Sequence, residues 1–138
     1  MNIRFAQEAD LHSIQRVIET AFSDEEKKVI GDLTFDLLTE TTRPSIKSLV
    51  AEIENQVIGY VSYSPIFLKS DTNISGYILA PLAVSSDHQK QGVGSKLVNR
   101  GMDMLTRDGV GVLFVYGDPD YYGRFGFKED VGHSFVPP

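Results

Sequence analysis

A mixed α/β domain is what this 138-residue sequence predicts, and three observations predict it. Apolar residues recur at helical spacing in two early segments and again over residues 92–107. Residues 48–64 alternate apolar and polar on either side of a polar pair, as a hairpin does. Residues 76–84 and 110–116 are apolar on both pleat faces, the pattern of buried central strands.

The elements follow in order. Residues 3–5 form a short candidate strand. Asp10 is placed to cap a helix carrying Leu11, Ile14, Ile18, Ala21 and Phe22 on one face. Ser23 and Glu26 have capping-box spacing, and the helix they start groups Ile30, Leu33 and Leu37. Arg43-Pro44 ends the helical region, since a residue before proline avoids the helical conformation. Residues 48–54 are the first hairpin strand, Asn55-Gln56 the turn and residues 57–64 the return, stopped by Pro65. Residues 69–75 are a polar loop before the strand at 76–84. Residues 85–91 form a short polar loop. The helix after it turns Val93, Leu97, Met104 and Leu105 inward, with Gly109 as its C-terminal glycine. Gly101, inside that helix, reads as a close-packing site, because an exposed glycine there costs about 1 kcal/mol relative to alanine. After the strand at 110–116, Asp118 and Pro119 open a short helix that Gly126 ends. There are no repeats, low-complexity tracts or linkers, so a single domain over residues 1–138 is expected.

Composition narrows the chemistry. With no cysteine, the chain has no disulfide, no thiolate zinc site and no cysteine acyl-enzyme. The formal charge of −6 makes it a poor general binder of nucleic acid. That charge suits cationic substrates such as amines, although it also serves ordinary solubility. The longest apolar run, residues 77–84, contains Pro81 and is far too short to cross a bilayer. The first ten residues are polar, so a soluble cytoplasmic protein without membrane association is expected. The spacing of His12, His88 and His133 fits no metal site.

The informative unit runs from Leu82-Ala83-Val84 through Ser85-Ser86-Asp87-His88 to Gln89-Lys90-Gln91-Gly92-Val93-Gly94. An apolar strand ends, a loop turns, and a glycine-rich segment opens a helix. The first N–H groups of a helix lack internal partners and point out at the positive end of its dipole. A diphosphate placed there collects several charge-assisted hydrogen bonds. Gly92 and Gly94 lack Cβ atoms, so phosphate oxygens can approach the backbone, and Lys90 and Lys96 add positive charge. Glycine at a helix start also serves turn geometry alone. The Gly-Lys-Ser/Thr of nucleotide hydrolases is missing, as is the third glycine of a dinucleotide fingerprint.

Gln89-x-x-Gly92-x-Gly94 resembles the acyl-coenzyme A signature of the GCN5-related N-acetyltransferase (GNAT) family. Tyr121-Tyr122-Gly123-Arg124-Phe125-Gly126-Phe127 resembles the family's aromatic-x-x-x-Gly-Phe block. With the Leu-Ala-Pro-Leu-Ala-Val strand, the match is to the YhbS-like branch and covers residues 76–127. The resemblance implies a mixed, mostly antiparallel twisted sheet with helices on both faces and splayed central strands. It implies acetyl-coenzyme A as cosubstrate and no metal. Backbone groups of Leu82, Ala83 and Val84 would pair with the pantetheine arm, and the Val84 N–H would polarise the thioester carbonyl. Gln89, Lys90, Gln91, Gly92, Val93 and Gly94 would hold the diphosphate, assisted by Ser95 and Lys96. Tyr122, four residues before Gly126, takes the family position of the acid that protonates the departing thiolate; packing against coenzyme A is its other reading. His88, beside the phosphate segment, is a candidate cofactor contact, and His12 an exposed helix residue.

The expected activity is direct transfer to a primary amine, on a small molecule or a peptide, within a ternary complex. No general base stands out. Glu25 and Glu26 border the acceptor side but serve equally as cap residues, and Tyr63 and Ser64 read as packing or cleft-lining. The rival is an acyl-coenzyme A sensor without turnover, and a third reading is a nucleotide-binding protein. The family's usual asparagine is not evident; Asp118 stands near its place. Only eleven residues follow Phe127, room for one further strand. The edge of residues 112–116 is therefore expected to be covered by the tail or by a partner chain, as in a homodimer.

Overall fold

The structure, a computed structural model, describes residues 1–42, 45–66, 76–115 and 119–127. Five strands form a single sheet: β1 (Asn2–Phe5), β2 (Lys47–Ile53), β3 (Gln56–Ile66), β4 (Gly76–Val84) and β5 (Val112–Val115). They lie side by side in that order. β1 to β4 pair antiparallel, and β5 runs parallel to β4. The helices are α1 (Leu11–Ala21), α2 (Asp24–Thr39), α3 (Val93–Arg107) and α4 (Pro119–Tyr122). α3 makes the crossover that a parallel strand pair needs.

Strand pleating separates the core into two layers. Leu49, Val61, Tyr63 and Leu79 meet Leu97, Val98 and Leu105 of α3 on one face. Val50, Tyr60 and Ala83 meet Ile14, Val17 and Ile18 of α1 on the other. The expected mixed, mostly antiparallel sheet with helices on both faces is therefore what the chain forms. Gly101 faces inward as expected, because a Cβ there would collide with the Tyr63 ring.

Several local expectations are corrected. Asp10 does not cap α1 with its side chain; its carboxylate takes the Gln7 N–H at 2.8 Å, in the capping box of the 3-10 turn Glu8–Asp10, and both ends of the Arg4 guanidinium at 2.8 and 2.9 Å. Phe22 lies just past α1 in extended backbone. α2 does not turn Ile30, Leu33 and Leu37 inward as a group. Gly31 and Thr34 are buried, whereas Leu33 is 38% exposed. The cause is the close crossing at Gly31, whose carbonyl accepts from Gln15 Nε2 at 3.0 Å and which has no Cβ to hold α1 away. The hairpin turn falls one residue early, at Glu54-Asn55. Both have positive φ (50° and 67°), as a two-residue turn closing the Ile53↔Gln56 pair requires.

β3 runs through Pro65 to Ile66. β2 has already ended at the Lys47↔Tyr63 pair, and a strand tolerates proline where one side is an edge. β5 is shorter than expected and half-buried along its length, not buried on both faces. Among the described residues it pairs with β4 alone. Arg43-Pro44, the loop at 69–75, Tyr116, Asp118, His133 and the expected cover of the β5 edge lie outside the described residues. Among the described residues no helix is long and apolar enough to cross a membrane.

Candidate active site

The site starts where the two parallel strands part. Their last pair among the described residues is Leu79↔Val115, and β4 continues to Val84 with no described strand beside it on that side. At the same place β4 carries one extra residue against β3, between the pairs Tyr63↔Leu79 and Val61↔Leu82. This bulge bends the strand and re-aims its end. The Ser85 N–H donates to Ile58 O at 2.8 Å on the β3 side. Successive N–H groups of an extended strand point to opposite edges, so the Val84 N–H faces the β5 side, where no described strand pairs with it.

The loop after β4 is braced by its own amides. Gln89 Nε2 donates to Val84 O at 3.1 Å and Gln91 Nε2 to Asp87 O at 3.4 Å. Thr20 at the end of α1 accepts the Ser86 N–H at 3.1 Å, which joins the α1–α2 corner to this loop. Lys90 (φ 63°) and Gly92 (φ 83°) then turn the chain into α3. Gly92 is the N-cap, and no side chain caps the helix. The first helical bond runs from the Lys96 N–H to Gly92 O at 3.1 Å. The N–H groups of Val93, Gly94 and Ser95 precede it and have no helical partner.

These elements surround a cavity of about 590 Å³, a size typical of a small-molecule site. Of the expected cofactor residues, Leu82, Ala83, Val84, Gln89, Lys90, Gly92, Val93, Gly94 and Ser95 line it. Gln91 and Lys96 do not; Gln91 braces the loop and Lys96 points out from the first turn of α3. His88 lines it too, and its Nδ1 is buried with no partner among the described residues.

Ala21, Phe22, Tyr121 and Arg124 complete the lining. Sequence reasoning put the acceptor boundary at residues 21–42, where Ala21 and Phe22 fall, and missed Tyr121 and Arg124 as lining residues. Tyr121 carries no signal beyond its place in the aromatic block. Arg124 carries one: it is a cation inside an otherwise aromatic and glycine segment. Lys90 and Arg124 bring positive charge, and no aspartate or glutamate stands among the described lining residues. In a chain of net charge −6, that local balance suits an anion.

Tyr122 sits behind this wall. It is 8% exposed, packed edge-on to Tyr121 at 5.0 Å and to Phe127 at 6.1 Å between ring centroids. Burial first, and Tyr121 second, push its phenol up to about 12. Tyr63 is fully buried and donates to Val98 O at 2.9 Å; burial first, then Tyr122, holds its phenol well above the ordinary value. Glu25 and Glu26 are exposed on the first turn of α2, where Glu26 Oε1 accepts from Ser23 Oγ at 2.9 Å. His12 is exposed and meets Arg16. Among the described residues no group of three His, Asp or Glu could hold a metal ion.

Among the described residues the donors present fit a diphosphate-bearing thioester carrier: a helix start opened by glycine without a side-chain cap, an imidazole nitrogen without a partner, and a strand edge with unpaired backbone groups. Comparison with known proteins identifies the family. The model of the acetyltransferase (GNAT) family matches residues 10–127. The uncharacterised N-acetyltransferase YhbS of Escherichia coli K12 is 34% identical over 136 residues, 97% of this chain and 77% of its own. The crystal structure of E. coli YhbS in complex with CoA superposes with a TM-score of 0.75 at 35% identity, over 92% of this chain and 68% of that one. A Brucella melitensis GNAT acetyltransferase in complex with acetyl-CoA gives a TM-score of 0.73 at 32% identity, over 92% and 82%. With the bulged, splayed strand leading into an uncapped glycine-opened helix, these matches settle the family: the chain is an acyltransferase that belongs to the GNAT acetyltransferases, on their YhbS-like branch.

Proposed function

We propose that the protein transfers the acetyl group of acetyl-coenzyme A to a primary amine by direct attack while both are bound. The observation that carries this reading is the start of α3 at Gly92, without a side-chain cap, set beside the edge of β4 that no described strand covers. Backbone groups of Leu82, Ala83 and Val84 pair with the amides of the pantetheine arm. The Val84 N–H donates to the thioester oxygen, where negative charge grows during attack. The N–H groups of Val93, Gly94 and Ser95 hold the diphosphate, with Lys90 and, from outside the cavity, Lys96 adding charge. Gln89 and Gln91 act at one remove, by holding the loop in shape.

Proton balance sets the task of Tyr122. The amine nitrogen loses one proton and the departing sulfur gains one. A phenol near 12 keeps its proton throughout the working pH range. Outright transfer to a thiolate with a conjugate-acid pKa of about 8.5 is uphill from there. Tyr122 therefore acts by hydrogen-bonding to sulfur as charge develops, and yields its proton only as the amine yields its own. The absence of cysteine from the sequence removes a cysteine acyl-enzyme and favours direct transfer. The burial of Tyr122 also favours a second reading, an acyl-coenzyme A sensor that binds without turnover.

Calorimetry with coenzyme A and a thiol-release assay over a panel of amines test both. The wild type should bind and should release thiol. Gly92→Glu puts a carboxylate and a strained φ at the helix start, and should abolish detectable binding. Tyr122→Phe should keep coenzyme A affinity while kcat falls about 100-fold. Absence of binding by the wild type removes the reading altogether. Binding without thiol release from any amine, up to about pH 9 where amines begin to deprotonate, leaves the sensor.

A further inference from the structure

Arg124, with Lys90, is a cation that lines the cavity. Among the described residues it makes no ion pair, although the chain is acidic overall. It is nevertheless held in place. Its Nε donates to Tyr121 O at 3.0 Å, and its Cζ lies 4.3 Å from the centre of the Tyr121 ring. That arrangement uses one face and one donor of the guanidinium, and among the described residues it leaves both terminal NH₂ groups without a partner. Tyr121 is fixed in turn, edge-on to Tyr122 at 5.0 Å and to Phe125 at 5.7 Å. Its hydroxyl reaches the first turn of α3, within 2.6 Å of where a Cβ on Gly94 would lie. The pair therefore borders the cavity beside the first turn of α3, and both of its members line it.

We infer that Arg124, positioned by stacking on Tyr121, is a coenzyme-binding residue that grips the diphosphate beside the amides that open α3. The inference rests on the acetyl-coenzyme A reading above and adds to it a side-chain anion contact outside the glycine segment. An arginine fork suits this task, since its paired N–H groups match two phosphate oxygens and the flat cation loses little freedom on a ring already in place. The Tyr121 hydroxyl, over Gly94, gives the same phosphate region a neutral donor. The competing explanation is structural: a cation near the end of α4 that steadies its terminal carbonyls and nothing more.

Calorimetry of the full chain with coenzyme A, dephospho-coenzyme A and 4′-phosphopantetheine separates them, with thermal unfolding measured alongside. Arg124→Gln should weaken coenzyme A roughly 5- to 20-fold, the range for losing a charge-assisted contact at a partly exposed site. The loss should be equal for dephospho-coenzyme A, which keeps the diphosphate, and should be smaller for 4′-phosphopantetheine, which has only one phosphate. Arg124→Lys should recover part of the loss. Tyr121→Ala should reproduce it, because the guanidinium then loses its platform. A loss seen with coenzyme A and absent with dephospho-coenzyme A would move the contact to the 3′-phosphate and overturn the diphosphate assignment. Unchanged affinity in Arg124→Gln with a lowered unfolding temperature would leave only the structural role. Either result would spare the acetyltransferase reading, which falls only if the wild type itself ignores coenzyme A.

Discussion

Gly101 and Tyr63 show how a single missing methyl group supports the site. The Tyr63 ring lies against α3 where a Cβ on Gly101 would stand, and its hydroxyl reaches past to Val98 O. Gly101→Ala should destabilise the protein by about 1–3 kcal/mol through overpacking, read as a lower midpoint in urea. Adding Tyr63→Leu should recover part of that loss, since the two changes share one contact. Gly101 was legible because glycine inside a helix needs a packing reason. Asp10 was misread, because a carboxylate before a helix looks the same whether it caps that helix or meets an arginine six residues earlier. Tyr121 and Arg124 were visible as residue types, but only the fold brings them over Gly94.

At the scale of the element, local chemistry was legible and facing was not. The Ser23–Glu26 spacing correctly marks the start of α2: Ser23 Oγ accepts the Glu26 N–H at 3.3 Å. Ser23→Ala should cost about 1 kcal/mol, measured by chemical denaturation, with coenzyme A affinity unchanged. The inward face of α2 was missed because its apolar residues are spread around the helix; Val29, Leu33 and Phe35 are all exposed. The Gly31 crossing decides which side turns in, and that is a tertiary choice. Pro65 misled for a related reason. Proline stops a central strand, yet β3 is central only as far as Tyr63. The segment from β4 to α3 was read best. There the strand pattern, the loop length and the glycines all agree, and its chemistry needs only local backbone groups.

Across the whole molecule, strand order depends on long-range pairing that no single segment announces. β1 joins β2 across nearly fifty residues of sequence, with Asn2 opposite Glu52. Arg4 ties this junction together, bonded to Asp10 at 2.8 Å and to Glu52 at 3.3 Å. The Arg4 hydrogen bond first, then that of the Gln7 N–H, holds the Asp10 carboxyl below its ordinary value against the opposing effect of burial. Its stabilisation is therefore present above the unfolded-state pKa of about 3.9 and is lost as pH falls through the lower folded value. Asp10→Asn should accordingly unfold at lower temperature than wild type at pH 7. The difference should begin to shrink below about pH 5 and close in stronger acid, where the wild type has lost the same charge. A difference constant from pH 7 to pH 2 would assign the effect to packing.

β4 has one more consequence. Leu82 packs into the layer beneath α3 and Ala83 into the layer beneath α1, so adjacent residues pin the strand from above and below. A strand gripped in this way is a fixed jaw. To admit a bulkier guest, the cleft has to widen at its other boundaries, the bend after α1 at Phe22 and the aromatic turn at Tyr121, while the backbone of β4 keeps its position.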